Sequence, residues 1–454
     1  MPMLPLITHE HANSVIAWRD GMPIGAGQFL SDVAALSRML PAGAHMLNAC
    51  SDRYRFMVGL GAALVSKKIS LLPSTQTPEM MRQMVRFAPD VFRLTDAKDS
   101  VIEMPQLLFP DLAQDGSGDA GFVVPQIDSG QPVAYVFTSG STGTPTPHRK
   151  TWGALVSNVR AEAQLCKIDD GRRHVVIGTV PPQHMYGFES TVLIVMQSAN
   201  AMFAGQSFYP ADICSAIRSV PQPRMLVSTP VHMKSLLHAG LEIPSADLLV
   251  SATAPLSAAL AGALEAGFAA PLLEIYGSTE TGQIAMRNSA RTEAWQLFSG
   301  LRLADKDGVT WVSGGHIEQP TSMNDVIEIV DDQHFLLHGR MADLVNIAGK
   351  RNSLAYLNLQ LHAIPGVLDG AYYMPDELVT DGVTRLTAFV VAPQLTAASL
   401  MAALRERMDP LFLPRPLVFV DALPRNTTGK LPREALTALA QAQAARGRAG
   451  AGTT

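Results

Sequence analysis

Short apolar runs alternate along much of the chain with longer stretches in which apolar positions recur every three or four residues. The runs at 133–138, 174–179, 225–228, 248–251 and 272–276 predict strands buried on both faces. The periodic stretches between them, 152–165 and 256–269 among them, predict helices. This alternation predicts α/β layers with largely buried strands.

The pattern changes after about residue 320. Runs at 326–330 and 335–338 flank Asp331, Asp332 and Gln333 and predict a β-hairpin. Beyond it the pattern predicts a strand at 344–347, a helix at 353–363, strands at 370–373 and 386–392, a helix at 397–408 and a strand at 417–420. The expected organisation is a large multi-layer α/β N-terminal domain (1–340), a small mobile α+β C-terminal domain (341–440) and a flexible tail (441–454), with a hinge at 340–343. Two apolar stretches, 191–204 and 258–273, are broken by Gln197, Ser198 and Asn200 and by Glu265. Both fall short of the roughly 20 apolar residues that cross a bilayer and predict buried helices.

Composition narrows the class. The chain has 454 residues, 47% of them hydrophobic and 17% charged, which suits large packed cores and more than one domain. A net charge of −5 offers no basic face for nucleic acid. Three widely spaced cysteines, Cys50, Cys166 and Cys214, form no CxxC or zinc pattern and predict buried free thiols. The N-terminal residues lack a basic region followed by an apolar one, so the expected location is the cytoplasm.

Four segments carry candidate chemistry. Thr138-Ser139-Gly140-Ser141-Thr142-Gly143-Thr144-Pro145 follows an apolar strand, and such small residues let backbone N–H groups and hydroxyls surround phosphate oxygens. It is no Walker A loop, because Gly143 is followed by Thr and Pro rather than Lys. Glu274-Ile275-Tyr276-Gly277-Ser278-Thr279-Glu280 ends a strand on an aromatic, two hydroxyls and an acid able to hold Mg²⁺. Asp325 and Arg340 can bind hydroxyls or phosphate. Lys430 follows Gly429 in the polar loop that begins Pro424-Arg425-Asn426. Each alone reads as an ordinary turn or surface charge. No Gly-x-Ser-x-Gly elbow and no HExxH pair points to a hydrolase or a zinc enzyme.

Taken together and in this order, the four segments resemble the motifs of the adenylate-forming superfamily of acyl-CoA synthetases, adenylation domains and luciferases, over about residues 130 to 436. The segment from Pro181 to Gly187 is similar to that family's His-x-x-Gly stretch, and Ser251 to Leu256 to its adenine-facing stretch. The resemblance implies ATP and Mg²⁺ as cofactors. It implies that Thr138, Ser139, Gly140, Ser141, Thr142 and Gly143 hold the phosphates, and that Ala252, Tyr276, Gly277 and Ser278 line the nucleotide. By the same resemblance Asp325 and Arg340 bind ribose, Thr279 meets the α-phosphate and Glu280 holds the metal. Lys430 joins carboxylate to phosphate, His184 borders the acid, Tyr186, Phe188 and Ser251 line its pocket, and Ala342 is the hinge.

Two positions depart from the family pattern. Thr146 stands where the family has a Lys after the loop, leaving Arg149 or Lys150 as substitutes, and Ala342 stands where the hinge is usually Asp or Lys. The stretches TSGSTGTPTPHRKTW and NIAGKRNSLAYLNLQL further resemble AMP-ligases of aryl polyene pigment clusters, the hydroxybenzoate–acyl carrier protein ligases of xanthomonadin type. That implies an aryl acid such as 3-hydroxybenzoate, loaded on an acyl carrier protein. CoA as acceptor, and a non-catalytic adenylate-binding protein, are the alternatives.

Overall fold

The computed structural model describes residues 2–73, 75–97, 104–112, 122–138, 145–340, 344–347, 350–375, 385–426 and 429–451. The phosphate-loop residues Ser139, Gly140, Ser141, Thr142 and Gly143, and the hinge residue Ala342, lie outside them.

The runs that read as buried strands assemble into one sheet. Val175–Gly178, Arg224–Ser228, Leu248–Ser251 and Leu272–Ser278 lie side by side and parallel, with Ser228 beside Ser251 and Ser251 beside Glu274. Every residue of Val175–Gly178 and Leu248–Ser251 is buried, as a sheet covered on both faces requires. Gly282–Arg287 then turns back antiparallel on Leu272–Ser278 and carries the sheet through Trp295–Leu297 to the hairpin Asp325–Ile329 and His334–Arg340. A second sheet is built on Pro132–Thr138, with Ile69–Leu72 parallel on one side and Thr146–Thr151 antiparallel on the other. The helix Trp152–Cys166 packs between the two sheets, started by Thr151, whose side chain accepts from the Ala154 N–H.

The C-terminal unit has its own core around Leu357, Leu361, Ala388, Val390, Leu400 and Leu404. It comprises the helices Leu354–His362 and Ala397–Arg407 and the sheet Asp369–Tyr373, Thr387–Val391 and Leu417–Phe419. These agree with the sequence expectation to within one or two residues.

Two expectations are corrected. The apolar stretch 191–204 is not one helix: a helical segment ends at Gln197 and Ala201–Phe203 is a strand. The polar Ser198 and Asn200 that interrupt the stretch mark the turn between them. The stretch 258–273 divides likewise into the helix Ala258–Phe268 and the start of Leu272–Ser278. Beyond 441 the chain is helical to Ala451, within Arg433–Ala451, where Ala, Gln and Arg are strong helix formers.

Candidate active site

In an open sheet of parallel strands, ligands gather beyond the carboxyl ends, where the chain leaves each strand in a loop. The candidate residues gather there. Thr179 follows one strand and its hydroxyl shares a 2.8 Å hydrogen bond with Ser228 at the end of the next. Ser251 ends the third strand, Ala252 follows it, and among the described residues the fully buried Ser251 Oγ has no hydrogen-bond partner. The loop beyond it passes through Thr253 at φ +79°, a left-handed backbone rare outside glycine. It is clamped to the fourth strand by Glu274, which accepts from the Leu256 N–H at 3.1 Å while Arg287 and Ser289 hold its other oxygen.

Tyr276, two residues before the end of the fourth strand, packs against Trp295 and Phe335, and its hydroxyl donates to Asp325 Oδ2. Asp325 and Arg340 are paired residues of the terminal hairpin, so the two expected ribose contacts sit side by side in backbone register. Thr279 and Glu280 form the tip of the turn into Gly282–Arg287, and hydrogen bonds between Ser278 and Thr281 close that turn.

Glu280 has one basic neighbour on each side. Thr138 Oγ1 and His148 Nε2 lie 3.0 Å apart, His148 Nε2 is 3.8 Å from a Glu280 oxygen, and Lys150 Nζ donates to the Glu280 carbonyl at 3.1 Å. Partial burial raises the Glu280 carboxyl, but hydrogen bonds from its own N–H and Ser278, with the charges of His148 and Lys150, outweigh it and hold the group below its ordinary value. An ionised carboxylate at a turn fits Mg²⁺, which takes the rest of its shell from phosphates and water and needs no cluster of side chains. Among the described residues no such cluster exists. Of the two candidates left by Thr146, Lys150 is the buried one that reaches Glu280. Arg149 lines the mouth of the adjoining cavity.

His184 precedes a short helix whose Tyr186 hydroxyl reaches both the Ser228 and Val250 carbonyls at 3.1 Å. Burial, with the nearby charge of Lys430, lowers the His184 imidazole to about 4, so it is neutral at pH 7, and its Nδ1 has no hydrogen-bond partner among the described residues. Phe188 is fully buried, edge-on against Phe56.

The same electrostatic contact locates Lys430. The loop that bears it is tied to its own domain by Arg425, which grips both oxygens of Asp369 at 2.8 and 2.7 Å and donates to the Gly429 carbonyl at 2.9 Å. Gly429 has φ +76°, and a Cβ there would lie 3.3 Å from Val231 Cγ2 and 3.5 Å from Thr229 Oγ1. Thr229 caps the helix Pro230–His238 at the end of the second strand. Further along that helix, Lys234 Nζ donates to the Val367 carbonyl of the C-terminal unit at 2.9 Å. The C-terminal loop therefore rests on the carboxyl ends of the parallel strands.

Sequence reasoning missed a buried polar group beneath this site. A cavity of about 480 Å³ runs inward from Arg149 and Lys150, past Glu280 and Met185, to Asn158 and Glu189. Behind that wall lie Glu162, Ser190 and Gln283. The available signal was Asn158 and Glu162, four residues apart on the otherwise apolar buried stripe of Trp152–Cys166.

Residues 41–339 match the family model described as AMP-binding enzyme, and residues 360–430 match the AMP-binding enzyme C-terminal domain. A 4-coumarate–CoA ligase from Rhodobacter capsulatus is 31% identical over 297 residues, 64% of this chain and 73% of that protein. A 3-hydroxybenzoate–CoA/4-hydroxybenzoate–CoA ligase from Thauera aromatica is 24% identical over 356 residues, 68% of this chain and 67% of that protein. Among solved structures, ATP-bound MatB from Rhodopseudomonas palustris superposes with a TM-score of 0.78 at 18% identity, covering 94% of this chain and 95% of that one. The anthranilate CoA ligase AuaEII in complex with anthranoyl-AMP superposes with a TM-score of 0.77 at 16% identity, covering 97% and 99%.

Proposed function

Because the chain belongs to the AMP-binding enzyme family, we propose that it activates an aryl acid with ATP and passes the acyl group to the phosphopantetheine thiol of an acyl carrier protein. It is an AMP-forming acid–thiol ligase of the CoA-ligase kind; the acid and the acceptor are the proposed parts. The observation that carries the reading is the Lys430 loop seated on the strand ends, close enough for its charge to act on His184.

A carboxylate is a poor acyl donor because its leaving group is oxide. Attack of a carboxylate oxygen on the α-phosphorus of ATP forms a new P–O bond, breaks the bond to pyrophosphate and leaves a mixed anhydride. The thiol sulfur then attacks the acyl carbon, its proton is released and AMP departs. In the first step two anions meet, so preorganised positive charge dominates the barrier. Lys430 would lie between carboxylate and α-phosphate, with Thr279 beside it. Thr138 and the loop from Ser139 to Gly143 would hold the outer phosphates, with Lys150 supplying the charge that Thr146 lacks. Glu280 would hold Mg²⁺, whose chemistry is to offset phosphate charge. Tyr276, Gly277, Ser278 and Ala252 would border the nucleotide, Asp325 and Arg340 its ribose. A neutral His184 would border the acid without adding a charge that competes with Lys430, and Tyr186, Phe188 and Ser251 would wall the acid pocket.

The carrier-protein reading rests on the TSGSTGTPTPHRKTW and NIAGKRNSLAYLNLQL resemblance. The CoA reading is favoured by the names of the curated relatives. Incubation with ATP, 3-hydroxybenzoate and either a holo-carrier protein or CoA separates them by mass. The account expects acylated carrier. Acyl-CoA alone would replace the acceptor, and no pyrophosphate release with any acid would end the ligase reading.

A further inference from the structure

The inner wall of the cavity beside Glu280 is polar where an acid pocket of an acyl ligase could be plain hydrocarbon. Asn158 and Glu189, 2% and 1% exposed, form it, with Asn158 Nδ2 donating to Glu189 Oε1 at 3.1 Å. Gly282 lets them come so close to the strand: it has φ +70°, and a Cβ there would overlap Asn158 Nδ2 and sit 3.1 Å from Glu189 Oε1. Behind them the Gln283 amide donates to Ser190 Oγ at 2.8 Å. Both amide nitrogens are thus committed, which fixes the orientation of both side chains.

What remains on the wall is an acceptor. On the cavity wall Asn158 Oδ1 is buried and, among the described residues, has no hydrogen-bond partner. Buried polar atoms are normally paired, and a side chain left unpaired on a cavity wall marks where a ligand or water completes the bonding. The missing partner is a donor. The wall also belongs to the site already described: Met185 adjoins His184, Gln283 is paired in register with Gly277, and Gly282 with Ser278.

We propose that Asn158 and Glu189 are specificity-determining residues for the acid, with Asn158 accepting a hydrogen bond from a hydroxyl carried at the end of the substrate remote from its carboxylate. The inference rests on the ligase reading above and narrows its substrate class to hydroxyaryl acids. Glu189 also faces Lys150, and burial lifts its carboxyl to about 8 against that attraction, so at neutral pH it is largely protonated and can return a hydrogen bond to the hydroxyl oxygen. A ring without the hydroxyl leaves the acceptor dry and unpaired, and a methyl ether offers no proton and adds bulk. A site built to bond a hydroxyl discriminates steeply against such analogues.

The test compares acid-dependent pyrophosphate release from benzoate, 3-hydroxybenzoate, 4-hydroxybenzoate and 3-methoxybenzoate. One hydroxybenzoate should exceed benzoate and the ether in kcat/KM by about 100-fold or more. In Asn158→Leu that ratio should fall at least tenfold, with the KM for ATP unmoved. The wild-type series needs no variant, so a misfolded mutant does not blunt the test. Turnover of all four acids at similar kcat/KM, or a ratio that survives Asn158→Leu, overturns this inference while leaving the ligase reading standing. Silence with every acid overturns both.

Discussion

Glu162 is fully buried, with hydrogen bonding from Ser190 and Gln283 favouring its charged form. Burial lifts its carboxyl from the ordinary 4.5 to about 8. Its titratable neighbours are Glu189, Cys166 and Tyr186, and Lys150 acts on Glu189 beyond. The sign of the linkage follows. Between about 4.5 and 8 the folded protein keeps the Glu162 proton that the unfolded chain loses, so this group's contribution to stability falls as pH rises through that window. His9, His184 and His316, lowered to about 4, act oppositely below 6.5. The informative quantity is therefore a difference. Glu162→Gln, compared with wild type by urea midpoint, should become progressively more stable relative to it from pH 5 to pH 8. Loss of the Glu162 charge also eases ionisation of Glu189, which pushes the same way. A pH-independent difference would mean that the Glu162 proton is not retained on folding. Nothing in the motifs revealed Glu162. It lies on a helical stripe that reads as apolar, and its burial becomes visible only when two sheets close over it.

The Lys430 loop was legible in part. Gly429 and Lys430 stood out by type and order, but the clamp that shapes their loop joins Arg425 to Asp369, 56 residues away, and no local pattern encodes it. The same holds for Lys150. Strand alternation points Lys150 inward, yet its choice over Arg149 as the buried cation depended on where the Glu280 turn falls. A bidentate, charge-assisted pair of this kind, with side chains only 18% and 25% exposed, contributes about 1–2 kcal/mol. Asp369→Asn should therefore loosen the loop and slow acid adenylation about tenfold, with ATP affinity retained. Stopped-flow pyrophosphate release would measure it. An unchanged rate would show that the loop is positioned by its seat on Thr229 and Val231 alone.

The whole molecule brings together parts that the sequence holds far apart. Strand ends around Ser228, Ser251 and Ser278 supply the seat, the terminal hairpin supplies Asp325 and Arg340, and a separate core at the C-terminus carries the cation. The parallel strands were legible because each is a continuous apolar run. The first 130 residues were not, because polar residues break the apolar runs of their strands, as in His45–Asn48 and Phe92–Thr95. The central claim is that Lys430 neutralises two anions as they join. Acid-dependent ATP–pyrophosphate exchange by Lys430→Ala, with ATP binding measured in parallel, tests it most directly. The account predicts intact ATP binding and exchange reduced by about 10²–10³; exchange within a few-fold of wild type would contradict it.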